Sequence, residues 1–319
     1  MRSSIKEILS LILANQATTA KELRGKLSIS QVLVHRHLKT LLAENKIKKI
    51  GSAPRVFYVP VQKEDNILLV ASNIIQENWL EILPNGSFLW GTVGFAQWCK
   101  KRGFDVTTKA NEYEAMFHKK ESFKKQGLID TTQKITNSFS HNYLEKIWYI
   151  DFYSWEIFGK TSLGKLILHA KQNSDEVLMK RIAKEVQSPI VSLIKREQFE
   201  MIGIIPHSIS RKKDFLMTTV KFLHLSPEPK RIFTKAFADH VVAQKTLKSK
   251  DERQANANET LFLNDEQIPK KILLIDDACG SGATLNVAAQ KIKHKFPKTK
   301  VYGLTFVGSM NGFEVINEM

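Results

Sequence analysis

Two adjacent carboxylates, Asp276 and Asp277, stand directly before a short run of glycines and hydroxyl side chains. Such a carboxylate pair can hold vicinal sugar hydroxyls, either directly or through Mg²⁺. Backbone N–H groups of a glycine-containing turn, together with a helix N-terminus, bind a phosphate dianion. The residues that would form this phosphate loop are Gly280, Ser281, Gly282, Ala283 and Thr284. The combination predicts a site for a sugar phosphate whose diol lies beside its phosphate.

The residues around this loop predict a β-loop-α-β unit. The apolar run Ile272–Ile275 is typical of a buried parallel strand, and apolar residues recur at helical spacing between Leu285 and Phe296. A further strand is predicted over Val301–Val307. A Rossmann dinucleotide site is excluded, because Leu285 replaces the third glycine and the acidic residues precede the loop. An ordinary strand-turn-helix without a ligand stays open as the alternative.

The run from Asp276 to Thr284 resembles the 5-phosphoribosyl 1-diphosphate (PRPP) signature of type I phosphoribosyltransferases. The resemblance implies that Asp276 and Asp277 engage the ribose 2- and 3-hydroxyls, and Mg²⁺ through ribose or water. It also implies that the loop binds the 5-phosphate. The family commonly has Thr-Thr-Gly where this chain has Gly280-Ser281-Gly282, which keeps one hydroxyl.

Over about residues 150–310 the chain is similar to the ComF branch of that family, starting at Phe158-Gly159-Lys160. A strand predicted over Met201–Ile205 ends where the branch carries its diphosphate loop. The resemblance implies diphosphate binding by His207, Ser208, Arg211, Lys212 and Lys213. It implies a flexible loop that contains Gln244, Lys245, Arg253 and Asn256. The chain departs from the branch in two ways: the zinc-binding cysteines often found at its start are absent, and its Arg-Gly-Phe-Asn run is replaced by Lys212-Lys213-Asp214-Phe215.

The first 60 residues predict three short helices and a hairpin with a basic surface, since they carry 11 basic and 3 acidic residues. Apolar residues from Ile5 to Leu13 repeat at helical spacing. Capping-box spacing at Thr19 and again at Ser28 predicts the starts of two more helices, the last ending near Asn45. Two β-like runs around a Gly/Pro turn then predict a hairpin over residues 47–59.

This pattern resembles a winged helix-turn-helix domain. The resemblance implies that the third helix enters the DNA major groove and that the hairpin touches the backbone. The residues implied to face DNA are Gln31, His35, Arg36, Lys39 and Thr40 on the helix, and Lys48, Lys49 and Arg55 on the hairpin. A helical interaction domain with a solvated basic face is the alternative.

The segment between these two regions is rich in aromatic residues and electrically neutral. All five tryptophans lie between Trp79 and Trp155, and residues 61–160 carry a net charge of zero. A helix is predicted over residues 66–83. Neutrality favours core packing or an interface over a base-stacking surface, because single-strand grooves are positive.

The predicted fold is α/β with three parts. These are a winged helix (α+β) over residues 1–62, a mostly helical segment over 63–150, and a phosphoribosyltransferase-like parallel sheet flanked by helices over 151–319. The expected function is transfer of a phosphoribosyl group from PRPP-Mg²⁺ to an unknown acceptor with release of diphosphate, coupled to DNA binding. The alternative is a non-catalytic transcriptional regulator that senses PRPP or a nucleotide.

Net charge and cysteine content limit the partners and the cellular location that we expect. The 319 residues carry a net charge of +16, which favours a polyanionic partner, so double-stranded DNA and a phosphorylated sugar are expected. A homodimer is expected as well. Two distant cysteines, Cys99 and Cys279, exclude a disulfide scaffold and a CxxC zinc site. No apolar run reaches the roughly 18 residues of a membrane span, so a cytoplasmic protein without a membrane partner is expected.

Overall fold

The structure is a computed structural model that describes residues 2–15, 17–44, 46–50, 56–60, 71–84, 86–207, 214–236, 250–264 and 267–310. The chain divides into two compact units. The first comprises Met1–Val70 and Ile82–Leu89, and the second comprises Ala71–Glu81 and Trp90–Met319. No helix among the described residues is long and apolar enough to cross a membrane.

The first unit contains three helices followed by an antiparallel hairpin: α1 (Arg2–Asn15), α2 (Ala20–Leu27), α3 (Gln31–Ala43), β1 (Ile47–Ile50) and β2 (Phe57–Pro60). The capping box predicted at Thr19 is confirmed, because Thr19 Oγ1 accepts from the Glu22 N–H and the Glu22 carboxylate accepts from the Thr19 N–H. The start predicted at Ser28 is wrong. Ser28 takes a left-handed conformation and ends α2, so Ser30 caps α3 instead through the N–H of Leu33.

The core of the first unit forms from the apolar faces of these helices. Ile8 and Ile12 of α1 are fully buried, as is Leu23 of α2. Val34, Leu38 and Leu41 form the buried face of α3, as the helical spacing of Val34, Leu38, Leu41 and Leu42 predicts, although Leu42 is half-buried. The opposite face of α3 is therefore left to solvent.

The next part of the chain is a helical and hairpin region, which belongs to the second unit apart from Ile82–Leu89. Its elements, in chain order, are α4 (Asn73–Asn78), β3 (Leu80–Ile82), β4 (Phe88–Trp90), α5 (Gly91–Arg102), α6 (Val106–Ser122), β5 (Lys124–Lys125), β6 (Leu128–Asp130) and α7 (Thr132–Thr136). The helix predicted over residues 66–83 is confirmed only over Asn73–Asn78. It ends at Asn78 because Trp79 is extended and leads directly into β3; residues 66–70 lie outside the described residues.

The remaining elements alternate strands and helices. They are β7 (Lys146–Phe152), β8 (Ser154–Trp155), β9 (Gly159–Lys160), α8 (Ser162–Asn173), α9 (Glu176–Glu197), β10 (Met201–Ile204), α10 (Phe215–Lys221), β11 (Pro229–Lys230), β12 (Phe233–Lys235), α11 (Lys250–Thr260), β13 (Leu261–Leu263), β14 (Lys271–Cys279), α12 (Ala283–Lys295) and β15 (Lys300–Gly308). Strand β7 spans position 150, which is the predicted boundary between the middle segment and the C-terminal domain.

A seven-stranded sheet with the order β11-β10-β14-β15-β7-β6-β5 organises this unit. The five strands from β11 to β7 are parallel, and β6 and β5 extend the sheet in antiparallel pairs. The protein is thus a mixed α/β fold with a mostly parallel central sheet flanked by helices. Ile272–Ile275 at the centre of β14 are fully buried, as the apolar run predicts.

The order of strands reverses direction between β10 and β14. From β10 the chain continues outward to the neighbouring β11, whereas β14 is followed by β15 on its other side. In open parallel sheets, ligands bind beyond the carboxyl ends of the strands at such a switch point. The fold therefore favours a ligand site beyond the carboxyl end of β14.

Candidate functional site

Asp276 and Asp277 lie near the carboxyl end of β14, at the switch point. Adjacent residues of a strand point to opposite sides, so the two carboxylates have different neighbours. Asp277 Oδ2 is 2.5 Å from Nζ of Lys171, which comes from α8. Asp276 Oδ1 accepts a hydrogen bond of 2.8 Å from the N–H of Asp277. Each carboxylate of the predicted pair therefore has a partner at the end of a buried strand.

The electrostatics of the pair are unusual. Burial, reinforced by the negative charge of Asp277, raises the pKa of Asp276 to about 7. Lys171 and Lys235 oppose this rise. Burial also lowers the pKa of Lys235, against the influence of Asp276. Even with two lysines nearby, the site favours the addition of positive charge or hydrogen-bond donors.

Sequence reasoning missed Lys171 and Lys235 as members of this site. The predicted cations of the flexible loop are instead Lys245, which lies outside the described residues, and Arg253, whose backbone lies in α11. Lys171 stands near the end of α8 and Lys235 at the end of the short strand β12, far from Asp276 along the chain. The position of Lys171 on the segment compared with the ComF branch was the one signal that could have pointed to it.

The phosphate loop turns sharply at Gly282. This residue has a left-handed φ of 84° and forms the N-cap of α12, where no side chain caps the helix. A Cβ at this position would come within 2.6 Å of Ile135 Cδ1, so glycine is required for both conformation and space. The first-turn N–H groups of a helix lack intrahelical partners, and here they belong to the predicted loop.

The loop residues differ in what they offer a ligand. Gly280 is exposed, and Ser281 and Thr284 are partly exposed, so their polar groups are accessible. Ser281 Oγ accepts weakly from the Ala283 N–H at 3.4 Å. Ala283 is 2% exposed, so it contributes its backbone alone. Backbone and hydroxyl groups together give the donor set that a phosphate needs.

The predicted diphosphate residues are described only in part. His207 follows β10, and the neighbouring Ile205 donates its N–H to Ile275 of β14, which sets this segment beside the carboxylate strand. Four predicted residues lie outside the described residues: Ser208, Arg211, Lys212 and Lys213.

The predicted flexible loop is partly a helix. Gln244 and Lys245 lie outside the described residues, but Arg253 and Asn256 belong to α11, whose sequence is rich in good helix formers such as Ala, Glu and Gln. The carbonyl of Asn256 accepts from Thr260 Oγ1 within this helix. A loop conformation at positions 253 and 256 is therefore corrected to a helix, and the Arg253 side chain lies outside the description.

Cys279 lies between the carboxylates and the loop. It is 6% exposed, and burial raises its pKa to about 11. A helix N-terminus lowers a thiol pKa only where the thiolate is solvated. The residue fills space below the loop.

Two hard oxygen donors on one strand fit Mg²⁺, which proteins ordinarily hold through one or two carboxylates together with substrate phosphates. The raised pKa of Asp276 supports the fit, since a cation would relieve the repulsion between the two carboxylates. Asp276 and Asp277 are the residues that would hold the ion.

In the first unit, the residues predicted to face DNA are largely exposed. Gln31, His35, Arg36 and Lys39 are exposed on α3; Arg36 and Lys39 lie opposite its buried face, and Gln31 and His35 flank it. Thr40 is half-buried, because its hydroxyl donates to the Arg36 carbonyl at 3.1 Å. Lys48 and Lys49 are exposed on β1, whereas Arg55 lies outside the described residues.

Comparison with known proteins yields no match to any family model and no significant match to a curated protein.

Proposed function

We propose that residues 276–284 bind PRPP and that the protein transfers its phosphoribosyl group to an acceptor with release of diphosphate. One observation carries the proposal. An adjacent carboxylate pair at the switch point leads within five residues into a left-handed glycine that caps a helix. A candidate diol site thus precedes a candidate phosphate site along the chain, which is the order that the resemblance to the PRPP signature implies.

Each group has a role in this reaction. Asp276 and Asp277 accept hydrogen bonds from the ribose hydroxyls, and the backbone N–H groups after Gly282 bind the 5-phosphate. The C1–O bond to diphosphate breaks and its electron pair leaves with diphosphate. The lone pair of a nucleophilic atom of the acceptor bonds to C1, and the proton of that atom passes to water. Bound Mg²⁺ would neutralise charge on the diphosphate.

Fixed cations assist the same step. Lys171 and Lys235 bring positive charge to the edge of the sheet where the ribose would lie. Preorganised charges of this kind stabilise developing negative charge more effectively than water does. His207, the described member of the predicted diphosphate residues, follows the neighbouring strand β10.

Diphosphate release tests the transfer reaction. The full chain is incubated with PRPP, Mg²⁺ and a panel of nucleobases, and diphosphate is measured over time. The control is the double variant Asp276→Asn/Asp277→Asn, which preserves shape and removes both charges. We expect release that depends on one acceptor and is lost in the control, whereas equal release from both proteins contradicts the proposal.

The first unit would bind double-stranded DNA in this proposal. The supporting observation is the exposed row of Gln31, His35, Arg36 and Lys39 on α3, together with Lys48 and Lys49 on β1. A regulator that senses PRPP without catalysis uses the same two parts. Gel-shift titrations with and without PRPP distinguish them, because a ligand shifts DNA affinity only if it binds the two states differently. Identical DNA affinity under both conditions excludes ligand control.

A further inference from the structure

An exposed valine lies in the middle of the solvent-facing side of α3. Val32 is 71% exposed and belongs to the first turn of the helix, two residues after the N-cap Ser30. Arg36 and Lys39 follow Val32 at intervals of four and three residues, so the three share one face. At roughly 100° per residue, Val32 lies between Arg36 and Lys39 around the helix axis. An apolar side chain thus stands between two cations on the face that points away from the core.

The fold of the first unit does not account for a valine at this position. Helix starts are often stabilised by an apolar contact between the residue before the N-cap and the fourth helical residue. In α3 these positions are Ile29 and Val34, and Ile29 packs against the core cluster that contains Val34. Valine is also a weaker helix former than Ala, Gln or Lys at an exposed position. Neither core packing nor helix propensity therefore explains Val32.

The surroundings of Val32 are cationic. The sequence of α3 contains no Asp or Glu, and Lys48 and Lys49 of β1 are exposed in the same unit. A positive surface of this kind favours a polyanionic partner. A partner that covers Val32 should therefore present an apolar group among negative charges.

Double-stranded DNA presents such a group in its major groove. Among the four bases of unmodified DNA, thymine carries a methyl group on its major-groove edge. A valine side chain has no hydrogen-bond donor or acceptor, so this methyl group is the feature of a base edge that it can recognise. In helix-turn-helix domains the N-terminal residues of the recognition helix contact base edges, and Val32 belongs to that part of α3.

We propose that Val32 packs against a thymine methyl group in the major groove and makes DNA binding selective for thymine at that position. This inference rests on the proposed DNA binding of the first unit and adds to it the residue and the base that are in contact. Arg36 and Lys39, on either side of Val32, bring the positive charge that holds α3 against the duplex.

Replacement of thymine by deoxyuridine tests the contact directly. The full chain first selects its preferred sequence from a pool of random duplexes. Each thymine of that sequence is then replaced in turn by deoxyuridine, which pairs with adenine as thymine does and lacks only the methyl group. Fluorescence anisotropy measures the affinity. We expect affinity to fall roughly four-fold at one thymine, the effect of exposing one methyl-sized group.

A pair of matched variants assigns the effect to Val32. Val32→Ser has no methyl group, so it should bind the thymine and deoxyuridine duplexes equally well at that position. Val177→Ser is the control, because Val177 is 76% exposed and also stands two residues after an N-cap, that of α9 in the second unit. It should discriminate as the unaltered chain does. The same discrimination in Val32→Ser would overturn the assignment.

Failure of this inference is distinguishable from failure of the proposed DNA binding. Binding of duplex DNA without enrichment of any sequence, or with no dependence on a thymine methyl group, overturns the inference alone, as expected if Val32 contacts another protein instead. Absence of binding to any duplex overturns the DNA-binding proposal and this inference with it. The comparison on the unaltered chain decides between these outcomes even if a variant does not fold.

Discussion

Lys171 Nζ lies 2.5 Å from Oδ2 of Asp277. This ion pair connects helix α8 to the carboxyl-terminal part of strand β14. Within the described residues, no basic side chain stands in a comparable ion pair with Asp276, whose pKa burial and the neighbouring charge raise to about 7. Two adjacent carboxylates thus sit in different environments. Because of this difference, Lys171 and Asp276 should affect the stability of the protein in opposite ways.

Replacing Lys171 with Met should destabilise the second unit. Asp277 would lose its partner beside a second carboxylate, at a cost of about 1 to 3 kcal/mol in the free energy of unfolding at pH 8. This is below the cost for a fully buried pair, because both side chains keep some contact with water. Urea unfolding measures the change, and Lys184→Met, an exposed lysine on α9, is the control. Equal losses in the two variants would refute the role of the ion pair.

Asp276→Asn should stabilise the ligand-free protein increasingly as pH rises. The pKa of Asp276 is higher in the folded state than the ordinary 3.8, so the folded protein binds more protons between about pH 4 and pH 7. Stability of the unaltered chain therefore falls as pH rises through this interval. The Asn variant avoids this loss, which amounts to at most about 4 kcal/mol. Urea unfolding at pH 5 and pH 8 tests it, and a difference between the two proteins that is independent of pH would count against the prediction.

Gly282→Ala should lower the stability of the protein by more than the cost of a left-handed φ alone. Gly103 has a similar φ of 67°, but a Cβ there meets nothing within 4 Å. We expect Gly103→Ala to cost about 1 to 2 kcal/mol and Gly282→Ala to cost clearly more, because buried Ile135 must also move. Thermal unfolding gives the comparison. Equal costs would show that Ile135 yields freely and that position 282 tolerates a side chain.

DNA binding by the first unit should depend on Arg36 and Lys39. If each contacts a phosphate, Arg36→Ala and Lys39→Ala should each reduce the slope of log affinity against log salt by about 0.9. Fluorescence anisotropy with duplex DNA at several salt concentrations measures the slope. Lys6→Ala, an exposed lysine on α1, is the control, and a slope that responds equally to all three variants would point to non-specific attraction by net charge.

Local sequence patterns predicted the local parts of the structure. The apolar run before Asp276, the glycines and the spaced apolar residues after them form β14, the loop and α12, because neighbours in sequence determine those conformations. The same holds for the buried face of α3 and the capping box at Thr19. Ser28 shows the limit of local patterns. Ser28 and Ser30 are both suitable N-cap residues for α3, and only the backbone conformation shows that Ser30 is the cap.

Long-range neighbours could not be predicted. Lys171 of α8 contacts Asp277, and Lys235 of β12 lies close enough to Asp276 to influence its pKa. No spacing in the sequence records either relationship. The antiparallel strands β6 and β5 are two or three residues long, which is too short for an alternating pattern.

Isothermal titration of the full chain with PRPP in the presence of Mg²⁺ tests most directly whether residues 276–284 bind PRPP. We expect saturable binding that weakens at least roughly ten-fold, or 1.4 kcal/mol, in Asp276→Asn/Asp277→Asn. Thermal unfolding of the double variant confirms that it is folded. Absence of PRPP binding by the unaltered chain, or equal affinity in the folded double variant, would contradict the assignment of residues 276–284 as a phosphoribosyl site.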